Sequence, residues 1–557
     1  MIPFPPTSEQ PAYRVTYRTH IHDLDDDSLV QIFGHYRLEH GDDWNLKPMW
    51  RKLIHTCRRW RYLVFDSSSE HLLDMRLLLT NDSPPIENLS YLPPLPLVIN
   101  YSDGIRTMTQ RDEDNIHLGL QRHGFVRRVV LHAPSSSLNI WLELMNKPFP
   151  NLGELSLLST GTTTEDMIPM LPETLQAPDL RRLSLHGIGL PKGLPLLSST
   201  ISLSTLSITD IRASCYFSPG HLVTHLQGLA HLEELTIGFA IPIPLPSSER
   251  ELLSPPIPPV TLPTLRHFTF RGVSVYLDNL VAQINAPLLE QFTLTILFEI
   301  AFTLVNMTVF IRGTEGLGCL TARVNFNRDG VYINAGREKL GHHKLWGSGK
   351  LGLQVNCEAL DWQMDAAAQV CSAFGTVVTT IEELVLDLDT VGMPSDWEKT
   401  LDTMLWHELL LPFAGVKKLQ VGSSLALELS KALESDVGRL ILPGLQELEV
   451  SLKNDHVVNA LTAFFDTRES MDRPVDLLVP PGDDDIIRAN LFQNTLSERR
   501  GRRRRDLENQ LKFEEAIDAE RREKEMWKAR ALALEEQLMG LQAEISSESF
   551  SKRTAPR

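Results

Sequence analysis

A chain of 557 residues, 42% of them apolar, with a formal charge of −17, can bury a sizeable core, which excludes a disordered polymer. The acidic balance weighs against general nucleic-acid binding, because phosphate backbones demand clustered Lys and Arg. Five cysteines, Cys57, Cys215, Cys319, Cys357 and Cys371, are scattered without CxxC or CxxxH spacing, which fits a reducing compartment without a disulfide framework or zinc site.

Residues 1–20, MIPFPPTSEQPAYR and the next six, read as a flexible N-terminus without the basic start and apolar run of a secretory leader. Residues 21–80 read as a small helical module. Asp23 to Ser28 supplies side-chain oxygens for a helix start near Asp25, and the negative charge suits the positive end of the helix dipole. Leu29, Ile32 and Phe33 then fall on one face, with Leu24 stapling the first turn. Past Gly34 and the GDD at 41–43, a second helix is expected to carry Trp50, Leu53, Ile54, Cys57, Trp60 and Leu63 or Val64. Lys52, Arg58, Arg59 and Arg61 would turn outward. Helices this short cannot bury their apolar faces alone.

The acidic opening HDLDDDSLVQIF followed by CRRWR at 57–61 resembles the F-box, the helical module that docks the adaptor subunit of a cullin-based ubiquitin ligase. Leu24, Leu29, Ile32 and Phe33 match its first part, and Cys57, Arg58, Arg59, Trp60 and Arg61 its second. Asp25 stands where the family has proline, and Leu72, Leu73 and Met75 stand where it has a closing Trp. The resemblance implies that Leu24, Leu29, Ile32, Phe33, Leu53, Cys57 and Trp60 contact the adaptor. The alternative is a two-helix core piece whose tryptophans fill the interior.

Prolines at 84–96 separate this module from the rest of the chain. Over 97–480 the pattern apolar-x-x-apolar-x-apolar recurs as VRRVVL at 126, LGELSL at 152, LRRLSL at 180, LSTLSI at 203, LEELTI at 232, LRHFTF at 265 and LEQFTL at 289. It returns as IEELVL at 381, VKKLQV at 416 and LQELEV at 445. The first seven copies lie 23 to 33 residues apart, near the period of leucine-rich repeats. The second and third apolar positions would point into a shared core, while residues between them, such as Arg182 and Glu233, face a concave surface or solvent. The prolines at 241–263 read as loops or insertions. Residues 317–356, Gly-rich with candidate strands TARVNF, VYINAG and KLGLQV, read as divergent repeats with insertions.

The apolar stretch 292–311 is nearly long enough to cross a bilayer, but Glu299 lies inside it and its Thr, Val, Ile and Phe favour strands. It is expected to be a buried strand and the inner element after it.

Residues 481–505, ending in the basic SERRGRRRR, read as a polar linker whose arginine run is a solvated hinge, a nuclear import signal or a nucleic-acid patch. Residues 506–546 read as a charged helix or weak coiled coil. Trp527, Ala531, Leu534, Leu538, Leu541 and Ile545 alternate by four and three, open to self-association or a partner helix.

Chemical look-alikes do not cohere. Asp25–Asp27 and Asp483–Asp485 lack the alternating spacing of a calcium loop. GSGK at 347–350 lacks a preceding Gly and the following Ser or Thr of a phosphate loop. His342 and His343 are adjacent rather than four apart. No GxSxG ties a nucleophile to a base. No catalytic residue, metal or cofactor is expected.

The expected fold is therefore α/β: a small F-box-like helical module, an irregular leucine-rich-repeat solenoid and a C-terminal helix, an arrangement resembling fungal F-box proteins with degenerate repeats. That resemblance implies a non-catalytic SCF-type ligase subunit in the cytoplasm or nucleus, binding the adaptor and an unknown protein substrate. A leucine-rich interaction scaffold using 21–65 as a cap is the alternative.

Overall fold

The computed structural model describes residues 20–38, 50–65, 76–81, 83, 95–102, 108–160, 168–191, 193, 195–242, 259–299, 302, 304–314, 316–337, 349–391, 402–435, 441–450, 455–478 and 483–551. The expectations for residues 1–19, the GDD turn, Leu72, Leu73 and Met75, most of both proline clusters, His342, His343, Gly347 and Ser348 lie outside them. The chain is mixed α/β and divides into two compact units, Met1–Lys417 with Ile441–Gly444, and Lys418–Leu440 with Leu445–Arg557.

The first unit opens with helices α1 (Asp26–Leu38), α2 (Trp50–Ile54) and α3 (Arg58–Phe65). The single helix expected from Trp50 to Val64 is broken at His55–Cys57. All three are modest helix formers, the Thr56 N–H turns back to the Leu53 carbonyl, and the Trp60 N–H donates to Cys57 Sγ at 3.4 Å, so Cys57 starts a new helix.

Beyond the helices the chain builds a large, mostly parallel sheet. Its strands are β1 (Leu77–Leu79), β2 (Leu97–Tyr101), β3 (Val126–Pro134), β4 (Glu154–Thr160), β5 (Arg182–His186), β6 (Thr205–Ile211) and β7 (Glu234–Phe239). Short β8 (Val260–Thr261) pairs apart with β10 (Ile284–Asn285), while β9 (His267–Gly272) and β11 (Gln291–Leu297) continue the sheet. Each early copy of the repeated motif forms one strand, and neighbours pair position for position. Arg128 lies opposite Glu154, then Arg182, Thr205, Glu234, His267 and Gln291 follow in one row.

That register has a local cause. The carbonyl at the motif's second position accepts both the second and third N–H of the next copy: Gly153 from Arg181 and Arg182, Arg181 from Ser204 and Thr205, Ser204 from Glu233 and Glu234. With this pin set, the period-two alternation puts Leu155, Leu157, Leu183, Leu185, Leu206 and Ile208 into the core. Just before β4, β5, β9 and β11 a tight turn closes on the motif's first residue, Leu152 N–H to Phe149, Leu180 to Ala177, Leu265 to Leu262 and Leu289 to Ala286. Pro150, Pro178, Pro263 and Pro287 occupy the turn's second position, where a fixed φ is an advantage. Pro263 is thus part of the repeat, not of an insertion.

The three candidate strands in 317–356 are all present as β12 (Thr321–Asn327), β13 (Gly330–Gly336) and β14 (Leu351–Asn356), but they are not consecutive repeats. The sheet runs β11-β14-β13-β12 and then β15 (Glu383–Leu388). β14 pairs parallel to β11, β12 pairs parallel to β15, and β13 is antiparallel to both flanking strands. The stretch 292–311 is β11 and the helix Val305–Arg312, and no helix among the described residues is long and apolar enough to cross a membrane. Glu299 serves the fold here. Its carboxylate accepts the N–H of Ser274 at 2.6 Å, at the start of the helix Ser274–Val281, while burial pushes its pKa up. Asp278 on that helix accepts the N–H groups of Asn306 and Met307 at the next helix start.

In the second unit β16 (Lys418–Val421), β17 (Glu447–Val450) and β18 (Asp476–Leu478) form a parallel ladder. The last helix, Asp483–Ser551, is continuous. The linker expected over 481–505 is helical from Asp483 on: it contains no proline after Pro481 and is rich in Arg, a good helix former.

Candidate partner-binding surfaces

The N-terminal module is built around Leu29, Phe33, Leu53, Ile54, Leu63 and Val64, joined by Leu95 from the segment leading into β2. Asp25, standing where the resemblance calls for proline, is the α1 cap: its carboxylate accepts the Ser28 N–H at 2.6 Å, and its carbonyl accepts the Leu29 N–H at 3.1 Å. The bonds from Ser28, backbone N–H first and then the side chain, hold the Asp25 pKa below its ordinary value. A depressed carboxyl pKa supplies stability above the unfolded value and loses it as pH falls through the folded one. The protection of the Ser28 and Leu29 amides, exchange measured relative to the unstructured rate at the same pH, is therefore expected to fall as pH drops below 3.8, and Asp25→Asn to flatten that dependence.

The CRRWR run performs structural tasks that outward-turned arginines would not. Arg59 ties α3 to the opening turn, with Nη1 donating to the His22 carbonyl at 2.9 Å, Nη2 to the Leu24 carbonyl at 2.6 Å and Nε to the Asp26 carboxylate at 2.8 Å. Arg61 Nε donates to the Ile54 carbonyl at 3.0 Å, closing the end of α2. Helical spacing turns both toward solvent, and Arg61 is exposed as that expects, but spacing does not foresee the carbonyls that both side chains reach. Trp60 packs edge-on against Phe33, ring centroids 4.8 Å apart.

The seven residues that the resemblance assigns to the adaptor consequently divide. Leu29, Phe33 and Leu53 lie in the module's own core. Leu24, Cys57 and Trp60 are half-buried, and Ile32 is 43% exposed. Two further apolar side chains, Ile21 and Tyr62, are exposed as well, Tyr62 at 73%. Tyr62 is legible in the sequence as the residue between buried Leu63 and the arginines; it falls off the apolar stripe, so periodicity passes over it.

On the sheet, the solvent-facing side carries a row of hydroxyls at the motif's fifth position, Ser156, Ser184, Ser207, Thr236, Thr269 and Thr293, each opposite the next. Near the strand starts a cavity of about 540 Å³ is lined by Arg127, Arg128, Arg181 and Arg182 against Glu154 and Asp179. Glu154 bridges two strands, 2.9 Å from Arg128 Nη2 and 3.7 Å from Arg182 Nε. Four guanidinium groups over two carboxylates leave that cavity net positive.

Among the described residues no group of three or more His, Cys, Asp or Glu is placed to hold a metal. Burial pushes the thiols of Cys319 to about 11 and of Cys357 and Cys371 to about 12, so none is a thiolate at neutral pH. Comparison with known proteins adds no relative: no protein-family model and no curated protein matches this chain.

Proposed function

We propose that this chain is a non-catalytic substrate-recognition subunit of an SCF-type cullin-based ubiquitin ligase, its N-terminal module docking the adaptor and its repeats, an irregular leucine-rich solenoid, holding a protein substrate. The observation that carries the reading is the module itself: three short helices, the first capped by Asp25, the third tied by Arg59 to the opening turn, with apolar side chains at Leu24, Ile32, Trp60 and Tyr62 not fully covered. A fully exposed apolar side chain, once buried by a partner, contributes about 1.5–3 kcal/mol, and the half-buried Leu24 and Trp60 contribute less, so a few such residues dominate the interface. The positive cavity at Arg127, Arg128, Arg181 and Arg182 suits an acidic segment of the substrate. Chemistry then belongs to other subunits, and this chain supplies proximity.

Co-purification with the adaptor subunit tests the reading. Ile32→Asp places a charge into the docking surface and is expected to lower adaptor recovery by more than about tenfold, the equivalent of roughly 1.4 kcal/mol, with thermal melting unchanged. Trp60→Ala is expected to lower it as well. Wild-type recovery of the adaptor from both variants would sink the assignment.

A second reading has one observation in its favour. Leu95, from the segment leading into β2, shares the core of Leu29, Phe33 and Leu53, which would suit a capping element of an interaction scaffold with no ubiquitin role. Failure of wild-type protein to retain the adaptor selects it.

A further inference from the structure

The C-terminal helix Asp483–Ser551 presents an apolar seam that its own chain leaves uncovered: Trp527, Leu534, Leu538, Leu541 and Ile545 are between 55% and 66% exposed, and Ala531 is exposed with them. Spaced alternately by four and three, these six side chains keep to one side of a helix stretch about 27 Å long. We propose that this seam pairs with a second copy of the same chain, the two helices running parallel and in register from Trp527 to Ile545.

The charges flanking the seam select both the occupant and its direction. In a parallel, in-register pair the residue preceding one seam position faces the residue five further along on the other helix. Glu523 then meets Lys528 of the second copy, and Arg530 meets Glu535, each contact made twice by symmetry. Gln537 meets Gln542 without conflict. Antiparallel helices overlapped on the same six residues keep only an Arg530–Glu544 contact, made twice, and bring Glu535 against Glu535 at the centre, so the parallel pair has more opposite-charge contacts and no like-charge one.

The same rule fixes where pairing stops. Upstream of Trp527 the seam positions are Lys524 and Glu520, which in a parallel pair would oppose their own copies inside the interface. The helices therefore separate there. Within one copy the indole N–H of Trp527 lies 3.5 Å from Glu523 and the Arg530 guanidinium lies over the Trp527 ring at 5.8 Å, so both flanking charges stand beside the seam.

The proposal is independent of adaptor binding, since it concerns only the last helix. Light-scattering mass of the full chain over a dilution series is expected to approach twice the 62.9 kDa of one chain at the concentrated end. Leu534→Asp combined with Leu541→Asp is expected to hold the mass at one chain throughout, with the melting of the rest of the protein unchanged, because both positions are exposed within a single copy. Direction is read by Leu538→Cys under mild oxidation: parallel pairing sets residue 538 against itself and gives a covalent dimer, with wild type and its five native cysteines as the control. A one-chain mass at every concentration overturns the proposal, as does a dimer indifferent to the double Asp substitution. A crosslink that forms only when Leu534→Cys and Leu538→Cys are combined overturns it too, because that pairing is antiparallel.

Discussion

Phe33→Ala is expected to destabilise the N-terminal module by about 3–5 kcal/mol, the usual cost of removing a buried aromatic ring from a core that cannot close over the gap. Phe33 is 2% exposed, sits edge-on to Trp60 and fills the space between Leu29 on its own helix and Leu53 and Leu63 on the next two. A core of so few side chains has little reserve. Hydrogen exchange should show α1 and α3 losing protection while the strands from β3 onward keep theirs, and adaptor capture should disappear with the module. Set beside Ile32→Asp, this variant separates two meanings of a failed pull-down. Ile32 is exposed, so its replacement should abolish docking while α1 stays protected. Phe33→Ala leaving α1 fully protected would mean that the ring packs against nothing essential, and the placement of this core would be wrong.

The parts of the fold that are readable from sequence are those fixed by short-range periodicity. The motif at 126, 152, 180, 203, 232, 265 and 289 sets the strands, their buried positions and, through one shared hydrogen-bond device, their mutual register. The prolines at 150, 178, 263 and 287 carry the same period but escape notice, because proline reads as a breaker unless its place in a turn is asked about. CLTARV at 319–324 is another copy, with Cys319, Ala322 and Val324 in the three apolar places, all buried. Small side chains hide it from a search for large aliphatic ones.

What sequence does not reveal depends on contacts between residues distant in the chain. The break at Thr56 turns on a cysteine side chain acting as a cap and on arginines that find carbonyls 35 and 7 residues away. The helix through 483–505 reads as a linker because of its polarity, although a polar, proline-free segment rich in Arg is compatible with a solvated helix. In the candidate site, helical spacing places Leu29, Ile32 and Phe33 on one apolar face of α1 but does not divide them between buried and exposed positions. Leu29 and Phe33 differ from Ile32 only in which neighbours cover them.

The insertion β12-β13-β14 supplies the second large effect. Gly330 opens β13 with φ at +151°, a conformation that side chains rarely adopt, and a Cβ placed there would lie 2.0 Å from the carbonyl oxygen of Val355 on β14. The turn before it is held by the Asn327 side chain, which accepts the N–H groups of Asp329 and Gly330, while the Asn327 carbonyl accepts from Gln363. The chain has no slack there to move aside. Gly330→Ala is therefore expected to cost roughly 2 to 6 kcal/mol, the sum of backbone strain and forced displacement of β14. Because β14 carries the sheet onward from β11 and β12 carries it to β15, loosening the Gly330–Val355 contact should expose amides on β12, β13 and β14 together. Gly375→Ala is the matched control: nothing lies within 4 Å of its added carbon, and an alanine that fits without strain stabilises by about 0.4–1 kcal/mol. Denaturant midpoints of the two variants should thus move in opposite directions from wild type. If they move together, the antiparallel strand is not wedged between its parallel neighbours as described, and the order β11-β14-β13-β12-β15 has to be redrawn.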